Sequence, residues 1–266
     1  MASRVHRSRR ASPRSAPAAG PPRARYLPVG EQGLAVELGD TIDEDVNARV
    51  HLLASAVARQ LASDVEETVP TYRSLLLLFD PLRVKRSLLI RRVEKILAAL
   101  PGRRAALRRS RVVHIPVCYG GELGPDLELV ARHCGLSAPE VVALHQGAAY
   151  RVYMLGFTPG FPYLGGMSPR IAVPRLEEPR PRIPAGTVGI AGAQTGIYPV
   201  ESPGGWRLIG RTPLRLFDWT RPEPFLVRAG DLLRFHAIEA GEFREVERSV
   251  AEGRFVAEIE QAEEGA

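Results

Sequence analysis

Two arginines and three neutral hydrogen-bonding residues lie where glycine and proline are unusually frequent. Arg182 and Arg211 carry guanidinium groups, which can hold a carboxylate or a phosphate with two parallel hydrogen bonds. Gln194, Thr195 and Tyr198 can each donate or accept one or more hydrogen bonds, and nearby glycines allow a ligand to approach the backbone amides. This set predicts a site for a small anionic ligand, with all five residues as candidate substrate contacts.

Residues 156–166 form an aromatic loop rich in glycine and proline. Glycine permits positive φ angles and proline fixes φ, so a loop that uses both this often is built for one rigid shape. The aromatic rings could wall a pocket, or the loop could be an irregular barrel corner that packs on itself. The residues predicted to form a pocket or an interface are Phe157, Pro159, Gly160, Phe161 and Tyr163, joined by Gly204, Gly205 and Trp206 from a later segment.

No catalytic residue can be assigned from the sequence. The Gly-Lys-Ser/Thr element of a phosphate-binding loop is missing, and so is the glycine spacing of the dinucleotide fingerprint. Ser202 lies outside any G-x-S-x-G elbow and is predicted to be a turn serine. His145 could act as a general base, but an ordinary histidine near a helix end is the safer interpretation. Asp126 is expected to cap a helix.

Metal binding, secretion and membrane insertion are not expected. The six histidines form no H-x-x-x-H or H-x-H pair, and Cys118 and Cys134 lack metal-site spacing. Two cysteines cannot make a disulfide framework, which favours reduced thiols in a cytoplasmic protein. The longest apolar run, residues 75–79, falls well short of the roughly 18 residues that a membrane span needs.

The net charge of +6 comes from an N-terminal arm, residues 1–25. This arm holds seven arginines and no acidic residue, whereas the rest of the chain has 29 basic and 30 acidic residues. With almost nothing to bury, the arm is predicted to be disordered. Because the body is nearly neutral, the high isoelectric point does not indicate a nucleic-acid partner.

The candidate residues lie in the second of two predicted domains. Residues 26–108 follow the order ββαββα, which predicts an α+β domain of two layers, a sheet with two helices on one face. Residues 109–240 are predicted to form an all-β barrel domain. Its central segment, residues 156–213, contains 11 glycines and 10 prolines among apolar residues at strand spacing.

The end of the chain is less regular. Late barrel strands are predicted at residues 214–219, 225–227 and 231–236. Residues 241–266 form an acidic C-terminal tail, with five glutamates in the last fifteen positions. We expect this tail to be a frayed helix outside the core.

Five long motifs carry a family resemblance. They are Ile115–Gly121, Tyr150–Met154, Gly156–Gly165, Pro184–Pro199 and Ser202–Pro213. Together they resemble the B subunit of 5-oxoprolinase, whose family is also called allophanate hydrolase subunit 1 or the KipI family. The resemblance covers residues 26–240 and leaves out the arm and the acidic tail. It implies that the barrel is of the cyclophilin-like type.

The resemblance also implies a function and partners. It implies a component of a bacterial 5-oxoprolinase, which opens 5-oxoproline to glutamate together with the A and C subunits, the latter being a homologous barrel protein. ATP with Mg²⁺ is implied for the complex and is not assigned to this chain, which is expected to have little activity alone. Two other roles remain open: inhibition of a sensor histidine kinase by binding it, and a carboxyltransferase-type role in urea or allophanate metabolism.

Within such a complex, the candidate residues take specific roles. Arg182 or Arg211 would hold the substrate carboxylate or a phosphate. Gln194, Thr195 and Tyr198 would bond the lactam amide, and the aromatic loop would exclude water.

Overall fold

The first domain is an antiparallel sheet with two helices packed on one face. The computed structural model describes residues 23–100 and 110–262. The elements of this domain are β1 Arg25–Val29, β2 Gly33–Glu37, α1 Glu44–Gln60, β3 Glu67–Pro70, β4 Ser74–Leu78 and α2 Arg86–Ala99. The strands pair in the order β1-β2-β4-β3. The predicted ββαββα order is therefore confirmed.

Alternation of side chains along the strands builds the core of this domain. Leu34 and Val36 of β2 and Leu75 and Leu77 of β4 are fully buried, and they face the apolar side of both helices. The helix α1 begins after Asp43, because the Asp43 carboxylate accepts hydrogen bonds from two backbone amides of the first turn.

The second domain is built on a closed barrel. Its elements are β5 Ser110–Tyr119, α3 Leu127–Cys134, α4 Ala138–Gln146, β6 Ala149–Leu155, β7 Pro162–Gly165, β8 Arg180–Ile183, β9 Thr187–Ala191, β10 Gln194–Ile197, β11 Ser202–Gly204, β12 Arg207–Arg211, β13 Leu232–Ala237, α5 Ala240–Ala251 and β14 Ile259–Ala262. Seven strands form a ring in the order β12-β9-β10-β7-β6-β13-β5, which pairing of β12 with β5 closes. Strands β8 and β11 form a separate two-stranded ribbon. The α+β domain followed by a barrel is thus confirmed, and the cyclophilin-like type of the barrel stays a prediction.

Strand β5 has partners along both of its edges. One edge pairs in parallel with β13 over Val112–Val117. The other edge is shared, since β14 pairs with residues 110–113 and β12 pairs with residues 118–119. Odd-numbered residues such as Val113 and Ile115 point into the barrel core, so His114 lies on the outer face.

Two predictions about the late part of the chain are wrong. Residues 214–219 and 225–227 are not strands, because they share only an isolated bridge between Phe217 and Phe225. The tail is not a frayed helix outside the core, because α5 buries Phe243 and Val250 and β14 then joins the barrel sheet.

Some predictions fall on residues that the structure does not describe. They include most of the basic arm, residues 1–22, the domain boundary predicted between residues 108 and 109, within the undescribed range 101–109, and the last four residues of the acidic tail. Within the described residues, no helix has the length and apolar character needed to cross a bilayer.

Polar contacts join the two domains. The buried Asn47 of α1 donates from Nδ2 to the carbonyls of Thr71 and Tyr72 in its own domain and of Tyr153 in the barrel, at 3.1–3.2 Å. His51, one helical turn later, bonds the same Tyr153 carbonyl at 2.8 Å. The orientation of the barrel relative to the first domain is therefore fixed by directional hydrogen bonds.

Candidate functional site

An aromatic cavity of about 200 Å³ opens on the barrel beside the domain interface. It brings together seven of the residues that the sequence predicts for a pocket or a substrate contact. They are Phe157, Phe161, Tyr163, Tyr198, Gly204, Gly205 and Trp206. Its remaining lining comes from Arg175, Leu176 and Pro179. Segments up to 50 residues apart in the sequence thus converge on one small cavity.

Phe161 is the centre of the cavity wall. Its ring makes edge-to-face contacts with Phe157, Tyr163, Tyr198 and Trp206, with ring centres 5.2–5.6 Å apart. Edge-to-face pairs are the favoured arrangement for aromatic rings and add to the stability gained by burial. Both interpretations of the aromatic loop are therefore partly met, since the loop packs on itself and also walls a cavity.

Phe157 holds a strained backbone conformation at the mouth of the cavity. Its φ angle is +64°, the only positive φ of a non-glycine residue among the described residues, and its side chain is 62% exposed. Hydrogen bonds between backbone atoms of Gly156, Thr158 and Phe161 enforce this turn. Such strain costs about 1–3 kcal/mol and is concentrated at functional sites.

Gly204 lets the opposite wall approach closely. A Cβ atom at this position would lie 2.3 Å from the Tyr198 hydroxyl oxygen, so any other residue would push the tyrosine away. Burial raises the pKa of Tyr198 above its ordinary value, although a hydrogen bond with the Trp206 backbone and the nearby Arg175 oppose this shift. Tyr198 is therefore a neutral hydrogen-bonding group at neutral pH.

Arg175 is the charged group of the cavity, and sequence reasoning missed it. Its guanidinium lies over the Trp206 ring, 6.0 Å from the ring centre. Within the described part of the chain no carboxylate lies within ion-pair distance of it, and its side chain is exposed. Arg175 is thus free to bind an anion. The only available signal was its place in a proline-rich loop, which does not distinguish it from other arginines.

A partly buried ion pair fixes the loop that carries Trp206. Asp126 accepts a hydrogen bond from Arg180 at 2.8 Å and another from the Leu208 amide at 2.7 Å. Arg180 also donates to the Trp206 carbonyl at 3.3 Å. Asp126 precedes α3 as predicted, but its side chain makes no capping hydrogen bond, so the predicted capping role is wrong. The carboxylate instead positions the cavity wall.

The remaining predicted contacts do not gather at this cavity. Arg182 is 75% exposed and pairs with Glu201 at 2.6 Å. Arg211 donates to the Ala185 carbonyl at 2.8 Å and lines a second cavity. Gln194 donates to the Tyr72 hydroxyl at the domain interface.

Two residues of the aromatic loop lie outside the cavity lining, which leaves their predicted interface role open, and Ser202 differs from its prediction. Pro159 is exposed, and Gly160 lies against Phe217 and Phe225 rather than in the cavity lining. Ser202 is not a turn residue, because it lies buried in β11.

Thr195 belongs to a buried hydrogen-bonded chain centred on His145. His145 is fully buried, with Nε2 2.9 Å from the Thr195 hydroxyl and Nδ1 2.8 Å from the Tyr119 hydroxyl. Thr195 donates to the Gly189 carbonyl, so it accepts from Nε2, and Nδ1 accepts from Tyr119. Burial lowers the pKa of His145 to about 3. His145 is therefore a neutral core residue in the last turn of α4, which agrees with the helix-end interpretation and not with a general base.

The second cavity is larger, about 640 Å³, and has mixed charge. It lies between the start of α5 and the end of β5. Its lining includes Arg211 and Arg244 together with Glu122, Glu239 and Glu247. Carboxylates thus outnumber guanidinium groups in this lining.

Comparison with known proteins places these features in a family. Residues 24–227 match the model of the carboxyltransferase domain, subdomain C and D. The B subunit of 5-oxoprolinase from Bacillus subtilis is 46% identical over 225 residues, which is 81% of this chain and 93% of that protein. The chain belongs to the 5-oxoprolinase B-subunit family. A second relative, the corresponding 5-oxoprolinase protein of Escherichia coli O157:H7, is 43% identical over 80% of this chain and 95% of its own length.

Solved structures of other proteins share the fold of this chain. The crystal structure of TTHA0988 has a TM-score of 0.69 and 45% identity, and it covers 79% of this chain. The matched part is 40% of the TTHA0988 chain, so that protein has a further large segment. The urea amidolyase of K. lactis has a TM-score of 0.72 at 21% identity over 90% of this chain and 16% of its own, which indicates a shared fold.

Proposed function

We propose that this chain is one component of a 5-oxoprolinase that hydrolyses 5-oxoproline to glutamate with ATP, together with the A and C subunits. One observation supports it above the others: a free guanidinium, Arg175, at the mouth of a small aromatic cavity. The relatives named as B subunits of 5-oxoprolinase support the role in an amidohydrolase complex. Their naming as one part of a larger enzyme supports the existence of partners.

The substrate chemistry matches the cavity. 5-Oxoproline is a five-membered lactam ring that carries one carboxylate. A cavity of about 200 Å³ is smaller than the roughly 300–1,000 Å³ of drug-sized sites, so it suits a molecule of this size. The ring would pack on Phe161 and Trp206, and its carboxylate would pair with Arg175.

ATP does not fit either cavity of this chain. The aromatic cavity is too small for a nucleoside triphosphate. The larger cavity has more carboxylates than guanidinium groups, which disfavours a triphosphate. Because an unstrained lactam needs activation before water can open it, ATP and Mg²⁺ would take part in the reaction while bound to a partner protein.

The chain thus contributes a substrate-holding wall to a shared site. The rigid aromatic loop would orient the lactam and exclude water from it, which strengthens electrostatic contacts in the site. No residue of this chain is assigned the role of nucleophile or general base. This division of work explains why little activity is expected from the chain alone.

Reconstitution tests the proposed function directly. The purified A and C subunits, 5-oxoproline, ATP and Mg²⁺ are mixed with and without this chain, and glutamate and ADP are measured. We expect glutamate formation only in the complete mixture. Equal glutamate formation without this chain would overturn the proposal and favour a regulatory role instead.

A series of arginine variants tests the site. Arg175→Ala should raise the KM for 5-oxoproline about 10- to 100-fold, because a hydrogen bond to a charged group contributes about 1.5–3 kcal/mol. Arg182→Ala and Arg211→Ala are matched controls and should change KM less than about threefold. Size-exclusion chromatography shows whether each variant still assembles. An unchanged KM for Arg175→Ala, together with a raised KM for Arg182→Ala or Arg211→Ala, would contradict the assignment to Arg175. The substrate carboxylate would then bind at an arginine that the sequence predicted.

A further inference from the structure

A cluster of imidazole and carboxylate groups lies on the outer face of the barrel, apart from both cavities. It joins His114 of β5 to Glu258 and Glu260 at the C-terminal end of the chain. One ligand atom from each of the three residues lies within 4.8 Å of the other two. A tetrahedral zinc ion holds nitrogen and oxygen ligands about 3.4 Å apart, so small side-chain rotations would complete the geometry.

Backbone pairing between the two strands places these three side chains on the same side of the sheet. The His114 amide donates to the Glu258 carbonyl at 3.1 Å, which continues the pairing of β14 with β5. Residues two apart on an extended chain point the same way, so Glu258 and Glu260 face one side of the sheet. His114 faces that side as well, because its neighbours Val113 and Ile115 point into the barrel core.

A second imidazole stands beside the first. His236 of β13 has its ring centre 6.5 Å from that of His114. Imidazole is the commonest protein ligand of metal ions, which makes His236 a candidate for the same site as His114.

Few protein groups satisfy this cluster among the described residues. The Nε2 atom of His114 is buried and has no hydrogen bond of acceptable geometry, although the Glu260 carboxylate lies 3.3 Å away. Arg234, the register neighbour of His114 on β13, forms no ion pair with Glu258 or Glu260. Among the residues that the structure describes, the only ion-pair contact of these two carboxylates is therefore that of Glu260 with His114.

We infer that His114, Glu258 and Glu260, with His236 as a fourth ligand, bind a divalent transition-metal ion of the Zn²⁺ type. Two imidazoles and two carboxylates are ligands that Zn²⁺ accepts in a four-coordinate site. The ion would fasten the C-terminal strand to the barrel. Sequence spacing could not reveal this site, because its ligands come from three strands and the two histidines are 122 positions apart.

Metal titration of the full chain tests the inference. The chain is stripped with a chelator and titrated with Co²⁺, whose visible absorption reports the coordination geometry, and Zn²⁺ binding is measured by calorimetry. We expect one equivalent of Co²⁺ to bind and Zn²⁺ to displace it. Absence of a coordination band, or absence of Zn²⁺ heat at micromolar protein, would overturn the inference.

Variants assign the ligands. Glu258→Gln combined with Glu260→Gln should weaken Zn²⁺ binding by at least about tenfold, and His114→Gln should do the same. The matched control combines Glu128→Gln with His133→Gln, two exposed positions on α3, and should bind as the wild type does. The glutamate pair is exposed, so that variant should fold even if His114→Gln does not. Unchanged binding by the glutamate variant would place the metal elsewhere.

A second readout tests the fastening role. Amide hydrogen exchange at Ile259–Ala262 should slow when Zn²⁺ is added to the wild type. The Glu258→Gln, Glu260→Gln variant should show no such slowing. Equal exchange with and without Zn²⁺ in the wild type would refute the fastening role.

Discussion

Acidification should destabilise the fold through His145, and the size of the effect can be worked out. His145 has an ordinary pKa of 6.5 in the unfolded chain and a pKa of about 3 in the folded barrel, because its ring is fully buried. Between these values the unfolded state binds a proton that the folded state does not. Stability from this residue is therefore complete above pH 6.5 and is lost as the pH falls toward 3.

The expected loss in the free energy of unfolding at about pH 4.5 follows from the interval between that pH and the ordinary pKa of 6.5. Two pH units at about 1.4 kcal/mol each give about 3 kcal/mol relative to neutral pH. His145→Gln removes the titrating group and keeps an amide donor that can reach the Thr195 hydroxyl. This variant starts from a lower stability, because the Tyr119 hydroxyl loses its acceptor. Its stability should nevertheless fall by about 3 kcal/mol less than that of the wild type on acidification.

Urea unfolding followed by tryptophan fluorescence measures both proteins at about pH 7 and about pH 4.5. Other titrating groups, including His51 and His236, contribute equally to both proteins and cancel in the comparison. His133→Gln is the matched control, since His133 is exposed on α3, and it should lose as much stability as the wild type. Equal losses for the wild type and His145→Gln would refute the neutral buried histidine.

Two further predictions concern the domain interface and the cavity loop. Asn47→Ala should lower the free energy of unfolding by about 1–3 kcal/mol, because three carbonyls each lose one hydrogen-bond donor. Asn47→Asp should cost more, because its carboxylate would face those carbonyls. Urea unfolding checks this, and Asn47→Asp at wild-type stability would contradict it. Phe157→Asn should be about 1 kcal/mol more stable than Phe157→Ala, because asparagine tolerates a positive φ, while both lower 5-oxoprolinase activity. Thermal unfolding and the reconstituted assay measure the two effects, and equal melting temperatures would contradict the strain.

Local patterns predicted most of the fold. The spacing of apolar residues predicted the ββαββα order of the first domain. Gly/Pro-bounded apolar stretches predicted the barrel. These successes share a cause, because each signal lies within one turn or one strand of the residue that it describes.

Long-range pairing explains the failures. Strand β14 forms because β5 offers a free edge about 145 positions earlier in the chain, and its own four residues include only one β-branched residue, Ile259. The aromatic residues of the sequence predicted the cavity, but nothing in the sequence predicted Arg175 as its cation. Which arginine can bind an anion depends on which of them lacks a carboxylate partner in the folded chain. Arg182 has Glu201 as a neighbour in space, and Arg175 has none among the residues that the structure describes.

The shared edge of β5 also affects how the chain behaves when it is shortened. Removing the residues from Glu258 onward would strip β14 and leave the backbone groups of residues 110–113 unpaired beside the buried Val112. An unpaired strand edge of this kind is a template for pairing with another molecule. The C-terminal strand therefore guards against aggregation, and this protection lies outside the matched family segment, residues 24–227.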